Sequence, residues 1–302
     1  VTVSTIRFLG GGSHRVFEIS GFLIFKFPHG SDGNLLVTEK RLCDRLKSSF
    51  SLPIPGYRYY SDGIPSFPRP IAGYQKLPGV VLEAYPLERP EHRVLAPQIA
   101  RFLTELHALS LDPALREILG SFDPEKHRSK IQGFYQDVRN VVFPRLSPEE
   151  QDWARRIFEE FLSEESVWRF EPTLIHGDLD SSNILYHPCR ARIVGIIDFE
   201  ESCIGDPACD LCGLLAEYGR DFLEEVLSNY GGRRDGTFHD RVLFHCRRII
   251  FHELLYGIEY GDDDFLKHGI ERLRRAMAGE DVVGGWLAKS TSRTRYAPGF
   301  PL

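Results

Sequence analysis

Short apolar runs and longer stretches of helical periodicity divide the chain into two unequal parts. Residues 5–9, 16–19, 22–27 and 57–60 are apolar runs too short for helices, and 71–79 passes from apolar to turn. All five predict strands. Residues 53–70, around the fourth of them, are rich in Pro, Gly and Tyr and predict loops. In this first part only residues 34–46 read as a helix, with Leu35, Leu42 and Leu46 roughly on one face. After Pro90 the pattern changes. Ile99, Phe102, Leu103 and Leu106 recur at i, i+3, i+4 and i+7, with His107 closing that helix as a packing or capping residue. Residues 131–143 form a second amphipathic segment, and Ser147-Pro148-Glu149-Glu150 opens a third with an N-cap and an acidic first turn. Residues 221–277 are helical, with turns near Gly231-Gly232 and near Gly261, whereas 281–302 lose periodicity and predict a surface-packed or partly disordered tail. The class is therefore α+β, with one unit over residues 1–79, a linker at 80–90 and a larger helical unit over 91–280.

One helical-part segment breaks this pattern. Apolar runs at 173–175, 184–186 and 193–197 read as buried strands, and between and after them stand His176-Gly177-Asp178-Leu179-Asp180-Ser181-Ser182-Asn183 and Ile196-Ile197-Asp198-Phe199. Asp178 and Asn183 then share one tight loop, and Asp198 ends a strand that can return alongside it. Phosphoryl transfer needs such a convergence: a carboxylate to accept a hydroxyl proton and two oxygen ligands for the Mg²⁺ on a triphosphate. A polar turn with a capping Asp and Asn is common, but H-x-D-x-x-x-x-N followed by I-D-F is specific.

Two features of the first part fit that chemistry. Gly10-Gly11-Gly12-Ser13 lies between two strands, where glycine lets backbone N–H groups approach phosphates, although a hairpin turn has the same composition. Lys26 stands inside the apolar run 22–27, where a lysine is costly unless paired. Glu39, on the helix at 34–46, is placed to be its partner while Lys26 grips the α- and β-phosphates; the alternative is a lysine snorkelling from an edge strand.

The loop resembles the catalytic loop of the protein-kinase-like phosphotransferases, in the form used by antibiotic kinases. Phe25-Lys26-Phe27-Pro28, Leu52-Pro53-Ile54-Pro55, Ala100-Arg101-Phe102-Leu103-Thr104-Glu105-Leu106-His107, Gly205-Asp206-Pro207 and Tyr256-Gly257-Ile258-Glu259-Tyr260 are similar to the aminoglycoside 2''-phosphotransferases. The resemblance covers nearly the whole chain. It implies a two-lobed protein-kinase-like fold, with a small mixed α/β N-lobe carrying an antiparallel sheet and a larger, mostly helical C-lobe. It places Ser13 near the β-phosphate, makes Tyr74 the gatekeeper and gives the purine to the backbone of Gln75 and Leu77. A bulky Tyr there narrows the adenine-shaped part of the pocket and accompanies GTP use in those relatives, so the donor is ATP or GTP. Asp210 is assigned to the catalytic-loop backbone as an orienting group. The relatives also collect acids and a Trp on their last helices to hold ammonium groups. Here Ala216-Glu217-Tyr218-Gly219 shortens an acidic insertion and Ile249 takes the Trp position, which weakens the aminoglycoside assignment. Glu201, Glu217, Asp221, Glu224 and Glu253 remain the candidate acceptor-binding acids, each with a solvated acid as its other reading. Glu200 stands where protein kinases have Gly after I-D-F.

Composition narrows the classes further. The 302 residues, 42% hydrophobic and 26% charged, suit two lobes of a soluble protein. A net charge of -6 disfavours nucleic-acid binding and is compatible with a polycationic small substrate. Six cysteines without a secretory framework predict reduced thiols and a cytoplasmic location; Cys209 and Cys212, with Cys203 nearby, lack the second pair a zinc site needs. No apolar run approaches membrane-spanning length and no signal peptide is seen, and a monomer is expected. The start at Val1 leads us to expect an initiator Met and a few residues before it. A P-loop NTPase is disfavoured by the absence of G-x-x-x-x-G-K-[ST], and a protein kinase by the absence of A-P-E after Asp198. A pseudokinase-like nucleotide-binding regulator would have lost one of Lys26, Asp178, Asn183 and Asp198. The sequence thus predicts a Mg²⁺-dependent kinase acting on a hydroxyl of an aminoglycoside, or of another small molecule such as a macrolide.

Overall fold

The computed structural model describes residues 3–10, 13–29, 33–84 and 89–280; Gly11, Gly12 and the predicted tail at 281–302 lie outside them. The N-lobe begins with β1 (Ile6–Gly10), β2 (His14–Ile19) and β3 (Leu23–Pro28), followed by α1 (Gly33–Leu46), β4 (Tyr57–Ser61) and β5 (Ile71–Gln75). These strands form one five-stranded antiparallel sheet in the order β1-β2-β3-β5-β4. Helix α1 buries Leu36, Leu42, Cys43 and Leu46, and Leu35 is only partly covered. Glu39 is three residues beyond Leu36 and four before Cys43, so it shares the buried stripe. That helical phase brings a carboxylate to the middle of the sheet.

The segment expected as a linker is partly ordered into the C-lobe. β6 (Val80–Val81) pairs with β8 (Ile184–His187), and a short 3-10 turn follows over Leu82–Ala84. Helix α2 (Arg89–His107) then carries the predicted stripe, with Ile99, Phe102, Leu103 and Leu106 at most 1% exposed. Two helices come next that begin on the same signal, an Asp cap followed by Pro. In α3 (Pro113–Leu119) Asp112 accepts from Leu115 N, and in α4 (Pro124–Asp137) Asp123 accepts from Glu125 N and Lys126 N. The start of α4 lies seven residues before the predicted 131, because its first two turns are polar and only Ile131 and Tyr135 are buried. α5 (Pro148–Ser163) has the full capping box between Ser147 and Glu150.

The remaining strands are short. β7 (Thr173–Ile175) pairs with β10 (Cys203–Gly205), and β8 pairs with β9 (Arg192–Ile196) in a hairpin. The chain closes with α6 (Cys209–Asn229), broken at Gly219 where φ is 78°, α7 (Phe238–Tyr260) and α8 (Asp263–Met277). Their core is aromatic, with Phe161 and Phe244 stacked at 3.5 Å between centroids and Phe158 edge-on to Phe251. No helix among the described residues is long and apolar enough to cross a membrane. A two-lobed, kinase-like α+β fold results.

Candidate active site

The loop between β7 and β8 is held by acceptors placed beneath it. Asp210, on the first turn of α6 and 0% exposed, accepts from His176 N and Gly177 N, both at 2.8 Å. His107 Nε2 lies 3.1 Å from Asp210 Oδ2, the oxygen that accepts from His176 N, and its Nδ1 lies 2.6 Å from the Tyr230 phenol oxygen. His107 is thus a buried positioning group. The His176 ring donates from Nε2 to Ile197 O at 3.1 Å, which ties the loop to the end of β9; burial holds its pKa below the ordinary histidine value. Gly177 is required at its position: φ is 86°, and a Cβ would stand 2.3 Å from Glu201 O.

Farther along the loop, Asn183 Nδ2 donates to Asp178 O at 2.8 Å and to Asp178 Oδ2 at 3.1 Å. The amide's donor side is therefore committed to Asp178, and its oxygen is the atom offered to a cation. Asp178 itself is exposed, as a group facing an acceptor must be. Desolvation within the cleft, then the charges of Asp180, Asp198 and Glu201, push its carboxyl well above the ordinary range.

Across the cleft, Lys26 in the middle of β3 is 4% exposed. Its Nζ donates to both Glu39 oxygens, at 2.9 and 2.8 Å, and to Asp198 Oδ1 at 2.7 Å. Burial opposes its charge, but Asp198 and Glu39 outweigh burial and hold the ammonium protonated. Burial likewise opposes the Asp198 carboxylate, and Lys26 outweighs it, keeping that group ionised. Asp198 adopts φ 69°, a left-handed conformation that L-residues adopt at a cost of about 1–2 kcal/mol. Its side chain is 42% exposed, and one oxygen is taken by Lys26. The second Asp198 oxygen and the Asn183 amide oxygen form the hard-oxygen donor set that Mg²⁺ prefers. The residues present fit that ion.

The other residues singled out in the N-lobe lie as follows. Tyr74 is 4% exposed on β5, with its ring 5.1 Å from that of Tyr57. Lys76 N donates to Phe22 O at 2.8 Å, and Leu23 pairs with Gln75. Bonding alternates along an antiparallel ladder, so Gln75 presents its backbone away from β3. Ser13 is buried, with Oγ 3.0 Å from His14 Nδ1. Glu201 is only partly exposed; burial, then Glu200 and Asp198, raise its pKa to about 7.

The other candidate acids are placed differently. Glu253 does not reach a substrate: it is 0% exposed between α7 and α8 and hydrogen-bonded to Arg272. Glu217 is a brace, accepting from Ser181 N at 2.9 Å and Ser181 Oγ at 2.8 Å. Burial and then Asp180 raise its pKa to about 8. Asp221 and Glu224 are exposed on α6 beyond the break at Gly219, Glu224 lying 3.8 Å from His239. Among the cysteines, Cys209 is buried and Cys203 and Cys212 are partly covered, all three as free thiols.

Two neighbours of the candidate site were not among the predicted site residues. Glu200 is 9% exposed and its carboxylate lies 2.6 Å from His14 Nδ1, a contact between the lobes. Asp180 accepts from Ser182 N at 2.8 Å, and burial raises its pKa. The signal for Glu200 was its place two residues after the predicted metal ligand Asp198, where protein kinases have Gly; the signal for Asp180 was its place inside the motif.

Comparison with known proteins agrees with this geometry. The sequence matches the phosphotransferase enzyme family over residues 4–243. Viomycin phosphotransferase of Streptomyces vinaceus is 30% identical over 202 residues, covering 66% of this chain and 68% of that protein. The GDP and kanamycin complex of APH(2'')-IIIa is similar in structure, with a TM-score of 0.82 at 28% identity over 92% of this chain and 95% of that one. Macrolide 2'-phosphotransferase type I shares the fold, with a TM-score of 0.71 at 20% identity, covering 89% of this chain and 90% of that one. The chain, kinase-like in fold, belongs to the phosphotransferase enzyme family.

Proposed function

We propose that this enzyme transfers the γ-phosphate of ATP or GTP to a hydroxyl of a polycationic antibiotic, an aminoglycoside being the leading acceptor. The observation that carries the reading is the meeting of Lys26, Asp198, Asn183 and Asp178 in one cleft. Lys26, fixed by Glu39, positions the α- and β-phosphates. Asp198 and Asn183 hold Mg²⁺, which when bound neutralises charge on the transferring phosphoryl group. Asp178 orients the acceptor hydroxyl and takes its proton. Ser13 attends the phosphates, while Tyr74 bounds the purine and the backbone of Gln75 and Leu77 contacts it.

The charge pattern around the acceptor side supports a cationic substrate. Burial raises the pKa of Glu201 to about 7 and of Glu217 to about 8, and neighbouring carboxylates, Glu200 and Asp198 in one case and Asp180 in the other, add to the shift. An ammonium-rich ligand relieves that repulsion and binds more tightly for it. Glu201 is the candidate acid best placed to meet such a ligand directly, with Glu217 acting through Ser181.

Viomycin is the second reading, supported by 30% identity to viomycin phosphotransferase. Incubation with kanamycin, viomycin and a macrolide, each with ATP and with GTP, tests both. Gain of one phosphoryl group by kanamycin supports the leading acceptor, gain by viomycin alone selects the second, and gain by the macrolide alone removes the cationic argument. If none of the three is phosphorylated with either donor, the antibiotic reading fails.

A further inference from the structure

His14 opens β2 directly after the glycine-rich turn and is 2% exposed. Its Nδ1 lies 2.6 Å from Glu200 Oε2 and 3.0 Å from Ser13 Oγ. Nε2 is buried and has no hydrogen-bond partner among the described residues, so the ring's polar hold is at Nδ1. The other end of the contact stands two residues beyond Asp198. There Glu200, Glu39 and Asp198 each offer an oxygen, all within 4.8 Å of one another. Lys26 donates to Glu39 and Asp198 and makes no such bond to Glu200. Three carboxylates thus share one ammonium, and the third, which it does not hydrogen-bond, gains from a donor brought from elsewhere. His14 is that donor, and it comes from the opposite lobe.

We infer that His14 and Glu200 form a clasp between the lobes, positioning Ser13 and the start of β2 against the cation-binding Asp198 segment so that the triphosphate is gripped from both sides. Both are positioning residues. They act through Ser13 on one side and through Asp198 on the other. The clasp also fastens Ser13, because Ser13 Oγ shares the His14 Nδ1 edge and Ser13 O accepts from His29 N at 2.8 Å. This inference rests on the nucleotide-dependent reaction proposed above.

The test is equilibrium binding of a fluorescent analogue of the preferred nucleotide, with Mg²⁺ and with EDTA, on wild type, H14L, H14N, E200L, E200Q and H14L/E200L. Steady-state KM values and melting temperatures accompany it. Loss of one hydrogen bond to a charged group weakens nucleotide binding by about tenfold in H14L and in E200L. The double variant is no weaker than either single one, since both remove the same contact. H14N keeps a donor where Nδ1 stands and E200Q keeps the acceptor, so both bind like wild type. The nucleotide KM rises with the dissociation constant while the acceptor KM stays unchanged, and the loss persists in EDTA. Wild-type affinity in H14L or E200L overturns the clasp, as do additive losses in the double variant or a loss confined to Mg²⁺. Should H14L not fold, E200L against E200Q reads the same contact from its other end. Failure of the wild type itself to bind nucleotide overturns the proposed function instead.

Discussion

Lys26 Nζ and Asp198 Oδ1 meet at 2.7 Å across the cleft, although 172 residues separate them in sequence. The same ammonium holds both oxygens of Glu39. One cation therefore joins the N-lobe sheet, helix α1 and the turn after β9.

Lys26→Met removes that cation and leaves Glu39, 0% exposed, as an uncompensated carboxylate. Urea denaturation should show a loss of about 3–5 kcal/mol, typical when one partner of a buried pair is deleted. Lys26→Met/Glu39→Gln should recover much of the stability, since the orphaned charge is gone. Turnover should stay about 10²–10³-fold down in both, because neither positions the phosphates. Recovery of turnover in the double variant would exclude the role given to Lys26.

Asp210 gives a contrasting case, since it touches no reacting atom. Asp210→Asn keeps one oxygen acceptor for two backbone donors, His176 N and Gly177 N. The unsatisfied donor costs about 1–3 kcal/mol, read as a lower melting temperature. kcat should fall with nucleotide affinity unchanged, since the loop under Asp178 shifts while Lys26 and Glu39 stay in place.

The residues that meet in the candidate site were more legible in the sequence than their surroundings. Asp178, Asn183 and Asp198 were legible because their order and spacing are specific, and Lys26 because a lysine in an apolar run needs a partner. Glu253 was misplaced because an acid on a helix announces nothing about burial; only packing of α7 on α8 reveals Arg272 opposite it. α3 went unpredicted and α4 was started late, although Asp112-Pro113 and Asp123-Pro124 carry the cap chemistry that was read correctly at Ser147-Pro148. Short β6 and β10 gave no periodicity to detect. The His14–Glu200 contact joins residues far apart in the chain, which no local pattern encodes.

The placement of Glu253 leads to its own expectation. Glu253→Ala strips the buried Arg272 of its carboxylate partner and should cost about 3–5 kcal/mol in chemical denaturation. The acceptor KM should not change. A raised acceptor KM with unaltered stability would restore Glu253 to the substrate site.

Two carboxylates with raised pKa values make stability depend on pH in a defined direction. Folding raises the pKa of Glu201 to about 7 and of Glu217 to about 8, both above the ordinary glutamate value of about 4.3. Between those values the folded state binds more protons than the unfolded one, so stability falls as pH rises. Melting temperature should therefore drop from about pH 5 to about pH 8, and the stretch between about pH 7 and 8 lies above the ordinary histidine pKa and below that of free thiols. Glu201→Gln and Glu217→Gln should each flatten the slope. A melting temperature that climbs over this interval would contradict the crowding of acids on the acceptor side.

The most direct test of phosphoryl transfer through Asp178 is the single-turnover rate of Asp178→Asn at saturating nucleotide and acceptor. Asparagine preserves the contact region with Asn183 but cannot take a proton. The rate should fall by about 10²–10⁴-fold, the range for loss of a general base, while nucleotide affinity stays at the wild-type value. A wild-type rate in Asp178→Asn would contradict the assignment.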